Sequence, residues 1–452
     1  MSVRRGGSTG IAPSRRRTVL GRVAAGAAGL TLAACGADAG RGTDSAKPVA
    51  GPKEITWSSY QLGDHDQKLW EDTFKLAEQV TGVKTNVIWE PGDGYWDKRQ
   101  TEFAAGSANL DVMINSQSWV LPGGLSGMFP DHNELLHRDK VDPKQYYQAD
   151  LLSWSWKGKQ WALPMQSGGE VVLYNKALFD ARGVKYPAKD WTYDDLIQSC
   201  QRLNDPATNK FALLVGQNGL QYMAGTFLLN FGGKILNPEK SKALYGDDPK
   251  SIQGASLDVD LHQKYRFVPT AEATATLPKG VRAFEAQMVA VEINGVFRHS
   301  SIRAALGEGK LDFAPPPKGP AAQTASVAGD GWSLLKLARA PDAAWRVLRY
   351  VQSKEGLLGP VLPALSWPPL RSVANSQPWL DLFKGTRIAE ATKVWETAGH
   401  ELLTTPEGRD ANTTMNAAFN KALAGEMNTP DAMRESARAL NELFSRRPAA
   451  WQ

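Results

Sequence analysis

From Lys53 onward, apolar and polar residues alternate between two periods, and the switch between them marks the elements. Glu54-Ile55-Thr56-Trp57-Ser58-Ser59 reads as a short strand. Asp66 to Thr81 carries Leu69, Leu76, Ala77 and Val80 on one helical face, and Gly82 stands where a helix would stop. Val83 to Trp89 returns to strand-like alternation, Tyr95 to Ala105 is helical, and Leu110 to Ile114 is a third strand. Strands alternating with helices at this spacing predict an α/β fold with a largely parallel sheet covered by helices. In such sheets ligands sit beyond the carboxyl ends of the strands.

The stretch 162–310 reads as a second region of mixed character. Val171 to Tyr174, Phe211 to Val215 and Met288 to Val291 are strands, and Gly225 to Leu229 and Ser256 to Tyr265 are helical. Thr192 followed by Asp195 forms a capping-box pattern with Asp in the usual place of Glu. Leu311 to Ala314 is a strand running into Pro315-Pro316-Pro317, Asp342 to Ser353 is a helix, and Leu362 to Arg371 is a Pro-rich crossing. Helices over Ala411 to Leu423 and Pro430 to Phe444 complete the tail.

The first 35 residues read as an export leader. Ser14-Arg15-Arg16-Arg17-Thr18 precedes a weakly apolar, Ala- and Gly-rich run from Val19 to Ala34, too short for a comfortable transmembrane helix. The run ends in Leu32-Ala33-Ala34-Cys35, which matches a lipobox, so residues 1–34 are expected to be a cleaved signal peptide and Cys35 a lipidated first residue. The paired arginines point to the twin-arginine route, with the general secretory route as the alternative. Residues 36–52 show no periodicity and read as a flexible tether.

This leader changes the meaning of the charge. The formal net charge is +5, but six arginines and no acidic residue precede Cys35, so the remainder is nearly neutral. A basic face for nucleic acid loses its support. With Cys35 acylated, Cys200 has no partner for an intramolecular disulfide, and its helical surroundings make it a buried apolar residue. Fifteen tryptophans are the unusual count.

Several segments, taken in order, resemble the family 1 extracellular solute-binding proteins, the sugar-binding components of ABC importers. Ala104-Ala105-Gly106 with Asp111-Val112, Gly158-Lys159-Gln160-Trp161-Ala162-Leu163-Pro164 with Tyr174-Asn175-Lys176, and Pro187 to Trp191 with Thr192 to Leu196 are similar to its landmarks. So are Phe267-Val268-Pro269-Thr270, Phe284 to Val291, Gly329-Asp330-Gly331-Trp332 and Lys354-Glu355-Gly356, although Ala286 and Gln287 replace the family's Gly and Lys. The resemblance implies a two-lobe periplasmic-binding-protein-like (type II) fold, similar to maltose-binding protein. Lobe 1 would comprise 53–161 and 311–358, and lobe 2 would comprise 162–310 and 359–452. Three crossings are expected near Trp161–Pro164, Lys310–Phe313 and Gly359–Ala364. It further implies a monomeric lipoprotein that captures a mono- or oligosaccharide in the interlobe cleft and hands it to a membrane permease, with no cofactor and no metal.

Sugars present hydroxyls and flat C–H faces, so such a cleft needs hydrogen-bonding side chains and aromatic rings. Loops after strands and beside crossings supply the candidates: Ser59, Tyr60, Asn115, Ser116, Trp119, Gln166, Ser167, Gln217, Asn218, Glu292, Asn294, Phe297, Asp330, Trp332, Trp367 and Arg371. Core packing is the competing role for each tryptophan, and Trp70, Trp345 and Trp395 lie on helical faces that favour it. Glu292 and Asp330 compete with roles as caps or ion-pair partners. Enzyme motifs are thin. Asp64-His65-Asp66 reads as a solvated turn rather than a metal cluster, His132 and His137 lack zinc-protease spacing, and Gly92-Asp93-Gly94 is a turn. A surface-anchored glycosidase using two carboxylates is the rival from another class. Binding of a non-sugar solute such as a glycerol phosphate or polyamine is the rival within binding proteins.

Overall fold

The computed structural model describes residues 54–451, apart from residues 108, 217, 218, 280, 328 and 402. The leader, Cys35 and the tether therefore lie outside the described residues.

Among the described residues, the elements that frame the site run in the following order. The first strands are β1 (Glu54–Tyr60), β2 (Lys84–Glu90) and β3 (Val112–Ser116), alternating with α1 (Asp64–Thr81), α2 (Tyr95–Ala104) and α3 (Gln117–Leu125). There follow β4 (Leu163–Gln166), β5 (Glu170–Asn175), α4 (Tyr193–Leu203), β6 (Phe211–Val215), α5 (Pro249–Gln263) and β7 (Val289–Gly295). Next come β8 (Leu311–Ala314), β9 (Ala325–Val327), β10 (Asp330–Leu334) and α6 (Pro341–Val351). The tail adds β11 (Gly399–Glu401), α7 (Arg409–Leu423) and α8 (Thr429–Ser445).

Local signals explain the boundaries. Gly82 takes φ 68°, a left-handed turn open to glycine without a Cβ penalty, and its N–H closes α1 on the Glu78 carbonyl. The capping box at α4 forms in both directions between Thr192 and Asp195. α5 starts seven residues before the predicted Ser256, because Asp248 caps it and Pro249 suits the first turn. The predicted helix at Gly225–Leu229 is a π-helical turn over Ala224–Leu228.

The two larger sheets among the described residues have the orders β2-β1-β3-β10-β4 and β8-β5-β7-β6, and β9 pairs with β11 in a two-stranded one. β1 pairs parallel with β2 and β3, but β10 runs antiparallel to both β3 and β4. The second sheet has one parallel pair, β6 with β7, and two antiparallel ones. The expected largely parallel sheet is thus mixed, because strands that return from the other sheet enter from the opposite end. The expected lobe divisions also shift. β4 follows residue 161 yet belongs to the first sheet, and β8 follows residue 310 yet belongs to the second. The chain passes from the first sheet to the second at 166–170 and returns between β8 and β10. Near both, Ser167 donates its N–H to the Trp367 carbonyl at 2.9 Å.

Two apolar clusters hold these layers. One is centred on Trp57, Trp70, Ile114, Trp332 and Trp345 beneath the first sheet, and the other on Tyr174, Cys200, Leu213, Phe419 and Leu440 beneath the second. Cys200 is fully buried with a free thiol, and burial raises its pKa.

Asp258 on α5 is a buried exception. Neither carboxylate oxygen has a hydrogen-bond partner, and His262 Nε2 stands 3.8 Å away. Burial pushes the acid up to about 7 and holds His262 down to about 4. An acid whose folded pKa lies above its unfolded value loses stability as pH rises between the two. Asp258→Asn should therefore stabilise the protein by about 1–3 kcal/mol at pH 8. The gain should shrink at pH 5, where the native carboxyl already holds its proton. Urea unfolding at the two pH values reads the difference.

Candidate functional site

The strand ends that face the crossings build one cavity of about 380 Å³. Its geometry follows from the register. Tyr60, Ser116 and Gln166 are the last residues of β1, β3 and β4, and Asp330, the first of antiparallel β10, pairs with both Ser116 and Gln166. All four line the cavity from the first sheet. Opposite them, Glu170 opens β5 and pairs with Gly295 at the end of β7, and both line the cavity from the second sheet. Gly168 and Gly169 between β4 and β5 also line it, as do Tyr222, Phe297, His299, Ser300 and Ser326. The cleft thus lies between two sheets at their crossings.

The polar groups are held by neighbours on different crossings. Gln166 Nε2 donates to Asp330 Oδ2 at 3.2 Å, while its Oε1 accepts from the Ser366 N–H and Oγ, both at 3.0 Å. One amide therefore ties together all three segments that meet at the cleft. Ser167 Oγ donates to the buried Asp150, whose pKa burial pushes up to about 7. Glu170 accepts from Thr226 Oγ1 and, at 3.4 Å, from the Ser326 N–H.

Electrostatically the cavity is acidic. Burial raises Glu170 to about 7 against the pull of its hydrogen bonds. Burial also raises Asp330, outweighing the bonds it accepts from Tyr60 and Gln166. Tyr60 is pushed well above its ordinary range by burial and by Asp330, and Tyr222 rises to about 12 by burial, Asp330 and Glu170. His299 falls to about 4 through burial and is neutral at physiological pH. Carboxyl and amide oxygens can accept from ligand hydroxyls, and Phe297, 43% exposed, offers a ring face to C–H groups.

Among the candidates read from the sequence, Tyr60, Ser116, Gln166, Ser167, Phe297 and Asp330 come together around this cavity. Others lie elsewhere. Ser59 and Asn115 sit one residue inside their strand ends and are fully buried, Ser59 Oγ donating to the Tyr60 carbonyl and Asn115 Nδ2 to Ser333 Oγ at 2.9 Å. Trp332, two residues inside β10, meets Trp57 and Trp70 edge-on and belongs to the core. Trp367 packs edge-on against Trp379 and Trp395 and donates its indole N–H to Tyr147, so it too is core. Arg371 donates to the Tyr146 carbonyl and lies over the Tyr147 ring.

Trp119 stacks on Trp96 at 5.9 Å, away from the cavity. Glu292 and Asn294 are buried inside β7, bonded to each other and facing Arg298. Gln217 and Asn218 lie outside the described residues.

The cavity also uses residues that sequence reasoning passed over. Asp66 lies in the first turn of α1 rather than in a solvated turn, and it lines the cleft with Leu62 and Trp70. Glu170 had a legible signal, an acid at the first position of a strand beside a crossing. Gln117, Tyr222 and His299 carried none, because only folding brings their loops to the cleft. Among the described residues no group of three or more His, Cys, Asp or Glu side chains is arranged to hold a metal.

Comparison with known proteins agrees with this architecture. The family model for bacterial extracellular solute-binding proteins matches residues 61–357, and the chain belongs to that family. It is 25% identical over 335 residues to the erythritol/L-threitol-binding protein of Mycolicibacterium smegmatis, covering 68% of each chain. In three dimensions it is similar to an ABC substrate-binding protein of Listeria monocytogenes solved with cycloalternan. That match has a TM-score of 0.76 at 19% identity and covers 87% of this chain and 99% of the other. A solute-binding protein of Agrobacterium radiobacter K84 in complex with ribitol matches with a TM-score of 0.71 at 19% identity, covering 87% and 100%. The fold is that of the two-lobe solute-binding proteins.

Proposed function

We propose that this protein is the extracytoplasmic receptor of an ABC importer, capturing a sugar or polyol in the cleft between its sheets for delivery to a membrane permease. The cavity carries the reading. It is bounded by both sheets, lined by hydrogen-bonding groups at strand ends, and sized for a small ligand. A ligand that touches both walls favours the closed arrangement through contacts made only there. The polyol- and sugar-binding relatives support the same ligand class. Tyr60, Ser116, Gln166, Ser167, Phe297 and Asp330 are the proposed ligand contacts, with Asp66, Glu170, Tyr222 and His299 added.

A lipid on Cys35 would hold the receptor at the membrane after leader cleavage. Cys35→Ser should release it into the soluble fraction or leave the leader uncut. A variant still found as a mature membrane protein would reject the anchor.

The ligand reading is tested by a thermal-shift panel of polyols, monosaccharides and oligosaccharides. A binder at one hundred times its Kd should stabilise the protein by about 2.7 kcal/mol. The facing Glu170 and Asp330 suggest a glycosidase as the second reading, and incubation with the binder should yield no cleavage products. Turnover would favour the enzyme.

A further inference from the structure

The cleft has an unusual charge balance. Three carboxyls, Asp66, Glu170 and Asp330, line it, and among the described lining residues there is no lysine or arginine. Its one imidazole, His299, is held neutral by burial. Burial also raises all three acids; His65 partly offsets this at Asp66, whereas Glu170 and Asp330 have only neutral hydrogen-bond donors. A site built for an anionic solute would invert this pattern, with bases or a helix N-terminus at the ligand.

Two buried polar side chains border the same space. Gln117 Nε2 and His299 Nδ1 belong to buried side chains that line the cavity, and neither atom has a hydrogen-bond partner. The acids suit a cation. Tyr60, Tyr222 and Phe297 add ring faces, which attract a cation when desolvated.

We propose that the cleft selects a ligand carrying a protonated amine beside its hydroxyls, an aminated sugar or amino-polyol, over its neutral parent. The inference rests on the carbohydrate reading above and narrows it. An ammonium group entering the cavity would favour the ionised forms of Glu170 and Asp330, which no lining cation pairs, and the charge-assisted hydrogen bonds that form are stronger than those of a neutral hydroxyl. A neutral polyol keeps the hydroxyl contacts but leaves the acids uncompensated.

Titration calorimetry on the detergent-solubilised full-length protein, with matched ligands, decides the matter. Pairs such as 1-amino-1-deoxysorbitol with sorbitol, and galactosamine with galactose, would each be run beside the N-acetylated amine. At least one amine should bind tenfold or more tightly than its neutral parent, and acetylation should remove the advantage. Asp330→Asn should bring the amine-to-neutral ratio toward one; should that variant not fold, the acetylation comparison on the wild-type protein decides alone. A neutral parent that binds as tightly as its amine overturns the charge inference and leaves the carbohydrate reading standing. Binding by neither class overturns both.

Discussion

Trp332→Ala should lower the unfolding free energy by about 3–5 kcal/mol while leaving the ligand affinity of the folded fraction nearly unchanged. The indole is 1% exposed, and its ring centroid lies 4.9 Å from that of Trp57 and 5.5 Å from that of Trp70, each edge to face. Removing it opens a cavity beside the Trp57 and Trp70 rings at the first sheet, where neighbours cannot collapse without disturbing β1 and α1. Denaturant unfolding measures the loss, and titration of the cognate ligand measures the affinity. A thirtyfold loss of affinity with intact stability would instead place this ring at the ligand.

The second large effect is expected at Gly329. A Cβ there would stand 2.0 Å from the Gln166 carbonyl oxygen and 3.3 Å from Ser167 Cα, both backbone atoms that cannot swing aside. Two crossings approach this closely because glycine leaves room, and they carry Gln166, Ser167 and Asp330 to the cleft. Gly329→Val should force them apart, costing about 1–3 kcal/mol or more in stability. It should also weaken ligand binding tenfold or more, since the tie from Gln166 to Asp330 and Ser366 depends on that spacing. Retained affinity would show that the crossings tolerate separation and that their spacing does not set the site.

Periodicity located β1, α1 and β3, and local chemistry located the stop at Gly82 and the cap at Thr192, because such signals act within a few residues. Direction of pairing was not legible. β10 enters the first sheet antiparallel after a long excursion through the second, and nothing within its five residues records that.

The site was half legible for a related reason. A residue at a strand end reaches the cleft, as Tyr60, Ser116 and Gln166 do, whereas one step inward, as at Ser59 or Asn115, it is covered by the sheet. Sequence reasoning places strand ends only to within a residue or two, and that margin separates contact from core. The tryptophans show the same limit. Large rings suit both sugar stacking and core packing, and at Trp332 and Trp367 burial among other indoles settled the competition. Tyr60, Tyr222 and Phe297 line the cavity, together with an edge of the core residue Trp70.

The central claim is capture by closure of the two walls around a ligand, and small-angle scattering tests it most directly. The full-length protein would be measured alone and with a saturating amount of whichever sugar, polyol or amino-polyol gives the largest thermal shift. The account predicts a smaller radius of gyration with ligand, because contacts to Gln166 and Asp330 on one side and Glu170 and Phe297 on the other are made together only when the walls approach. An unchanged radius at saturation would contradict it.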